Sequence, residues 1–407
     1  MNLDFKKSSA AITEIAKKRK EDNAVFYTSH LKELINDKDI VETVISQESM
    51  EPGIEYYLFA ESEYKLVKFI DLSFGIGKAV SENDFIKVSN VCFYYSDFSM
   101  CGFNNISFHN CVFVGCNFLE CYTLGLQTVF TNCSFTSRIP GKKSIDDMPS
   151  MFTRCEFSAK FIDCDLSQTV LDKCNFYFSH FGYVNMYDTI FLDCSIDTTK
   201  LSGCDLRSTK IINPKFIEFY IEDIDKRSKV NRNTFISTIN YNKSEIREVK
   251  YAADVYSAFS ELFESNKLMD LSGEYFYLNK VTEHRILKGY AKVKSLIGLI
   301  TCGYGERPFN SLLASLFLIL LCGTLYMFFG VSYNNEILIF HPTLNTLLPP
   351  PDKLILWYHF SLVTFSTVGY GNVTPIGGSL VVSAVEMVLG VIMVGIWVST
   401  LVRKMVR

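Results

Sequence analysis

Much that would classify a chain at once is missing from this sequence. The opening MNLDFKKSSAAITEIAKKRK has no apolar stretch of the kind that begins a secretory signal, so the N-terminal part is expected in the cytosol. None of the thirteen cysteines is spaced Cys-x2-Cys, which removes the common zinc arrangement, and a reducing compartment argues against a disulfide framework. No glycine-rich nucleotide fingerprint precedes a helix, and the six histidines accompany no nucleophile motif. No enzyme activity, catalytic residue or cofactor is therefore expected. With a net charge of −4 and a pI near 5.9, no broadly basic surface is available, and no nucleic-acid partner is expected. Charge is also unevenly absent. Lys, Arg, Asp and Glu together number 40 + 44 = 84, yet only nine of them lie in 301–407. A charged, soluble-looking body is followed by an apolar tail.

Two runs in that tail can cross a bilayer as helices, 309–330 and 378–402. Neither carries an arginine at every third position, so no voltage sensor is expected. Lys288, Lys292, Lys294 and Arg307 precede the first run, and Arg403, Lys404 and Arg407 follow the second, while the connecting loop holds one lysine. This bias puts both flanks, and hence both termini, in the cytosol of a multi-pass protein of the plasma or inner membrane. Within the loop, PPPDKLILWYHFSLVTFS reads as a short helix over 353–366 capped by Asp352, too short to span. Irregular backbone at 367–371 follows, which is tolerable at membrane depth only inside protein or beside a water-filled path. Glu386 is the single acid within a span and must face protein or water. Two readings of it stand open: a polar anchor behind that backbone or in a cavity wall, and a neutral carboxyl hydrogen-bonded to a neighbouring helix.

Span, short helix, Thr367-Val368-Gly369-Tyr370-Gly371, span: this order resembles the pore module of two-transmembrane potassium channels. The pentapeptide is the established example of a filter whose backbone carbonyls replace an ion's water. The resemblance implies a homotetramer in the bilayer, with K+ as permeant ligand at Thr367, Val368, Gly369 and Tyr370. It implies that Trp357, Tyr358 and Phe360 brace the filter with Tyr370, supported by Thr364 and Glu386, and that Gly390 and Gly395 are hinge candidates in the inner helix. Two positions depart from the family: Asn372 stands where many members have Asp, and Val363 where some bacterial members have an acid. The second GYG, at 303–305, follows neither a pore helix nor a span and is not expected to be a filter.

Before the tail, large apolar residues recur every five positions. Phe93, Phe98, Phe103, Phe108, Phe113 and Phe118 form one series, and an unbroken series of twelve runs from Phe161 to Phe216. Neither a helix nor a flat strand has this period. A small residue usually stands two places earlier, and nine of the thirteen cysteines occupy that slot. They read as packing. The pattern resembles the pentapeptide-repeat family, implying a right-handed quadrilateral β-helix with one pentapeptide per face. About 22 repeats make five to six coils, roughly 25 Å at the spacing of paired strands.

The expected organisation is multidomain. An N-terminal helix and mixed cap over 1–90 cover the first coil. The β-helix occupies 91–217 with a loop insertion at 138–150. A helical coupler spans 218–300, its first helix presenting Ile246, Val249, Ala253, Tyr256, Phe259 and Phe263 on one stripe and its second, capped by Asp270 or Ser272, running to about Leu299. The pore domain is 301–407. The function expected is passive, potassium-selective conduction with a cytosolic domain that either gates or scaffolds. Any gating force is expected to enter through the segment leading into Arg307 and Pro308. The alternative is a membrane-tethered interaction protein, a DNA mimic or partner-binding scaffold.

Overall fold

The computed structural model describes residues 5–36, 42–50, 56–76, 85–123, 128–136, 148–222, 227–334, 336–341 and 349–406. They divide into two compact units, Met1–Glu283 and His284–Arg407.

The first unit is a parallel β-solenoid of the pentapeptide-repeat type. Where no insertion intervenes, partners lie twenty residues apart, as in Val170↔Ile190↔Lys210, which is four faces of five residues. Two residues beyond most core positions the chain turns through a left-handed residue, for example Asn105, Asn110, Asp163, Lys173, Asp193 and Asn213. Such a conformation costs an L-residue about 1–2 kcal/mol, and the Asn and Asp found at many of these corners tolerate it best. One left-handed residue per five converts a strand into a corner, which is why the period is five. Inside, the rings stack at the rise of the coil. Phe93, Phe113 and Phe135 lie 4.8 and 4.9 Å apart, and Phe108, Phe130, Phe161 and Phe181 follow at 5.0 Å intervals, all nearly parallel.

The coil is longer than five to six turns, since one face alone stacks nine strands, from Thr43–Ser46 to Phe235–Ile236. It begins well before residue 91. Phe59, Tyr64, Phe69 and Phe74 already keep the step of five and pack in the same core. At the far end, Ile236 and Ile239 donate their backbone N–H groups to the hydroxyls of Tyr275 and Tyr256 at 2.9 Å. These tyrosines belong to helices that close the last coil and cover its open edge.

Of the helices, α1 (Phe5–Asn36) does not cover the first coil. It lies along the side of the late coils, where Ile12 and Ala16 bury Ile190, Leu192, Ile212 and Phe235, and where Arg19 and Lys20 pair with Asp188 and Asp172. Those apolar residues point outward from the coil, so the helix is what keeps them from water. Helix α2 (Ile246–Ser265) buries Val249, Ala253, Tyr256, Phe259 and Phe263, whereas Ile246 is exposed. Helix α3 (Met269–His284) stops fifteen residues short of Leu299, and Ser272 lies within it rather than capping it. The chain breaks at the left-handed Gly289 and resumes as α4 (Gly289–Cys302). The expected coupler is thus divided between the units. The loop at 138–150 lies outside the described residues except for 148–150, where Ser150 Oγ donates to the Phe113 carbonyl at 2.7 Å.

In the second unit, α4 leads through a short turn at 303–305 to α5 (Pro308–Phe329). Two three-residue strands follow, then α6 (Pro351–Phe365), a third strand, and α7 (Ser379–Val406). Helices α5 and α7 are long and apolar enough to cross a membrane, and few of their residues are buried in the single chain, unlike the core helices of a soluble protein.

Candidate ion-conduction site

The site is assembled at the C-terminal end of α6. Its N-terminus begins two residues before the expected start, with Pro350 as cap and Pro351 at the first position. Proline lacks the N–H that would go unsatisfied there, so Asp352 sits in the first turn instead of capping it. At the other end Ser366, Thr367 and Val368 donate backbone N–H groups to Leu362, Thr364 and Val363 at 3.0–3.2 Å, which holds the first residues after the helix against its last turn.

From there the backbone alternates in hand. Thr367, Gly369 and Gly371 have φ of 57°, 58° and 77°. At Thr367 this is a strained conformation for a β-branched residue. A Cβ on Gly369 would meet nothing within 4 Å, so a side chain there is opposed by the backbone conformation and not by crowding in the single chain. Val368 and Tyr370 are 57% and 67% exposed. Tyr370 stacks on His359, 6.2 Å between centroids, and a cavity of about 60 Å³ behind the loop is lined by His359, Val363, Thr364, Tyr370 and Asn372.

Of the aromatics expected to brace the filter, Phe360 lines this cavity too, while within the single chain Trp357 and Tyr358 pack toward α5. Trp357 is buried among Cys322, Tyr326, Val331 and Leu338. Tyr358 lies over Gly323, where a Cβ would come 2.3 Å from its ring, and Phe360 meets the Tyr326 ring edge-on at 4.7 Å. The buried stripe Trp357-Phe360-Ser361-Thr364 follows helical spacing and turns this side of α6 toward α5. Within one chain, His359 is the ring beside Tyr370.

Glu386 is fully buried where α5, α6 and α7 meet. It accepts from the Tyr326 hydroxyl at 2.6 Å and is hydrogen-bonded to Ser361, whose Oγ also lies 2.8 Å from the Ile319 carbonyl. One carboxyl thus ties the short helix to both spans. Gly390 is a point of close approach: a Cβ would stand 2.2 Å from the Phe365 carbonyl oxygen, at the end of α6. Helix α7 continues unbroken through Gly390 and Gly395, and nothing lies within 4 Å of a Cβ built on Gly395.

One element has no counterpart in the sequence reading. Strands Val331–Tyr333, Glu336–Leu338 and Val373–Pro375 form a small antiparallel sheet in which Tyr333 pairs with Val373, two residues past the loop. Ser379 Oγ adds a bond to the Gly330 carbonyl at 2.6 Å. The readable signal was Asn334-Asn335, a turn dipeptide between β-formers.

Residues 355–407 match the family model described as "Ion channel", a match that runs from within α6 to the end of the chain. The C-terminal segment is an ion-channel domain. No curated protein matches the chain. Among solved structures, HetL, a pentapeptide repeat protein of the cyanobacterium Nostoc sp. strain PCC 7120, is similar at 10% identity over 43% of this chain and 80% of that one, with a TM-score of 0.29. QnrB1, a plasmid-mediated fluoroquinolone resistance protein, is similar at 14% identity over 42% of this chain and 94% of that one, with a TM-score of 0.15. Rfr23 of the cyanobacterium Cyanothece 51142 is similar at 10% identity over 35% and 63%, at 0.14. The solenoid is defined by its own twenty-residue register and ring stacking. The channel domain and its two apolar helices make this a membrane protein.

Proposed function

We propose that four copies of this chain form a potassium-selective channel, with both termini and the solenoid in the cytosol. The observation that carries the reading is the alternation of left-handed residues at Thr367, Gly369 and Gly371 directly after α6. Alternating hand swings successive carbonyls toward one side, which supplies a dehydrating ion with oxygens from Thr367, Val368, Gly369 and Tyr370. One chain supplies one wall of such a cage. The exposed Val368 and Tyr370 are apolar surface that further copies would cover. The C-terminal end of α6 turns the negative end of its dipole toward the ion path and favours a cation there. Glu386, through Tyr326 and Ser361, fixes α6 between the spans. Conduction is passive, driven by the potassium gradient and the membrane potential.

Purified protein in liposomes tests this directly. A potassium flux blocked by barium, from a particle of four chains by native mass spectrometry, is the expected result. Flux shared equally by sodium, or a particle of one or two chains that still conducts, contradicts it.

A further inference from the structure

At the ends of the spanning helices away from the filter loop, the turn before α5 and the last turns of α7 are joined by an ion cluster centred on one buried carboxylate. Glu306 ends the turn between α4 and α5 and is only 1% exposed. Arg403 Nη2 lies 3.0 Å from its Oε1, and Lys404 Nζ 3.9 Å from its Oε2. Both cations come from the last turns of α7, where they also complement the helix's negative end. A carboxylate removed from water strongly requires such partners, so the position of this end of α7 is tied to the position of Glu306.

The turn that carries Glu306 is in turn fixed to α4. Tyr304 is left-handed, with φ of 56°, and its hydroxyl lies 2.7 Å from Ser295 Oγ on α4, which is itself 3.0 Å from His284 Nδ1. Gly298 leaves room for that ring, and Gly305 for the guanidinium: a Cβ at Gly305 would come 3.0 Å from Arg403 Nη1. A continuous set of contacts therefore runs from α4 through Tyr304 and Glu306 to the end of α7.

We infer that Glu306 is a positioning residue for the gate, a clasp through which a movement of α4 sets the cytosolic end of α7. The inference rests on reading the chain as a channel. It changes the route expected from the sequence, in which a cytosolic influence entered only through the first span. The clasp gives that influence a direct hold on the second span, far from the filter.

The experiment is single-channel recording of full-length protein carrying Glu306→Gln, Arg403→Gln, or the swapped pair Glu306→Arg with Arg403→Glu. Each single variant should shift open probability about tenfold or more, which is one decade in the gating equilibrium. The potassium-to-sodium permeability ratio should stay unchanged, and the swapped pair should return open probability toward wild type. Unchanged open probability in both single variants, or a swap that assembles without restoring it, overturns the clasp. Hydrogen exchange of the α7 amides from Thr400 to Val406 provides a reading that needs no conduction. In Glu306→Gln these amides should exchange about tenfold faster, as local opening becomes easier, and unchanged exchange also overturns the proposal. Loss of all potassium flux in the wild-type protein would instead strike the channel reading and leave the exchange result to judge the clasp.

Discussion

The two units of this chain use apolar residues in opposite ways. In the solenoid nearly every large apolar residue of the five-residue series is buried, and its rings are covered above and below by rings of the same chain. In the channel domain Val368, Tyr370, Leu380, Val381 and many residues of α5 and α7 stand exposed. A solenoid completes its core coil by coil within one chain. Under the proposed function, the pore loop and its spans are completed by lipid and further copies. The first unit completes its core as a single chain, whereas under the proposed function the second works as an assembly.

The sharpest way to break this comparison is Gly369→Ala. A left-handed alanine costs about 1 kcal/mol in each of the four chains around one filter, so roughly 4 kcal/mol, or about a thousandfold, should be lost from conduction. The thermal transition of the solenoid, followed by circular dichroism, should not move. The converse is Phe113→Ala, which empties a ring site between Phe93 and Phe135 and should destabilise the solenoid by about 3–5 kcal/mol in denaturant titration. The permeability ratio of the assembled channel should be retained.

A smaller effect sharpens the account of the interior. The structure aligns Cys101, Cys121, Cys155, Cys174 and Cys194 in one column, donating sulfur hydrogens to carbonyls of their own or the preceding coil. Burial pushes the thiols of Cys116 and Cys174 up. They should stay protonated, and maleimide labelling of Cys164, Cys174, Cys194 and Cys204 in folded protein should be slower than at the half-exposed Cys302. Labelling of those four at the rate of Cys302 would show the register to be wrong.

The smallest expected effect concerns pH. Partial burial, then Lys200 and Lys160, lower the pKa of His180. The unfolded chain then binds its proton more readily, so this contribution to stability is present above the ordinary histidine range and is lost as pH falls below it. His180→Gln should flatten the slope of solenoid stability between about pH 6.5 and 5. An unchanged slope would remove His180 from the account.

How much of this was legible follows from the range of the interactions. The step of five is local, so Phe93 to Phe118 and Phe161 to Phe216 disclosed the coil. The same step at Phe59, Tyr64, Phe69 and Phe74 went unread because the five-residue spacing is lost in the sequence between Phe74 and Val88. Ile190, Leu192 and Ile212 flank core positions on one face and signal a covered side, but that α1 covers it depends on contacts more than 150 residues distant. The loop at 367–371 and the short helix before it were readable since motif, short helix and spans coincide. Their surroundings were less so. Trp357 and Phe360 share a helical stripe with Ser361, and which side that stripe faces is set by Gly323 and Tyr326 on α5, which no local pattern specifies. The clasp at Glu306 joins residues a hundred positions apart, and only its burial reveals it.

The central claim is that a filter built on Thr367–Gly371 selects potassium once four copies assemble. Its most direct test is the reversal potential of reconstituted full-length protein with potassium on one side of a planar bilayer and sodium on the other. Selective conduction predicts a displacement of about 59 mV for each tenfold preference for potassium, and hence more than about 100 mV in total. A reversal potential near zero at neutral pH would mean that both ions pass alike and would contradict the account.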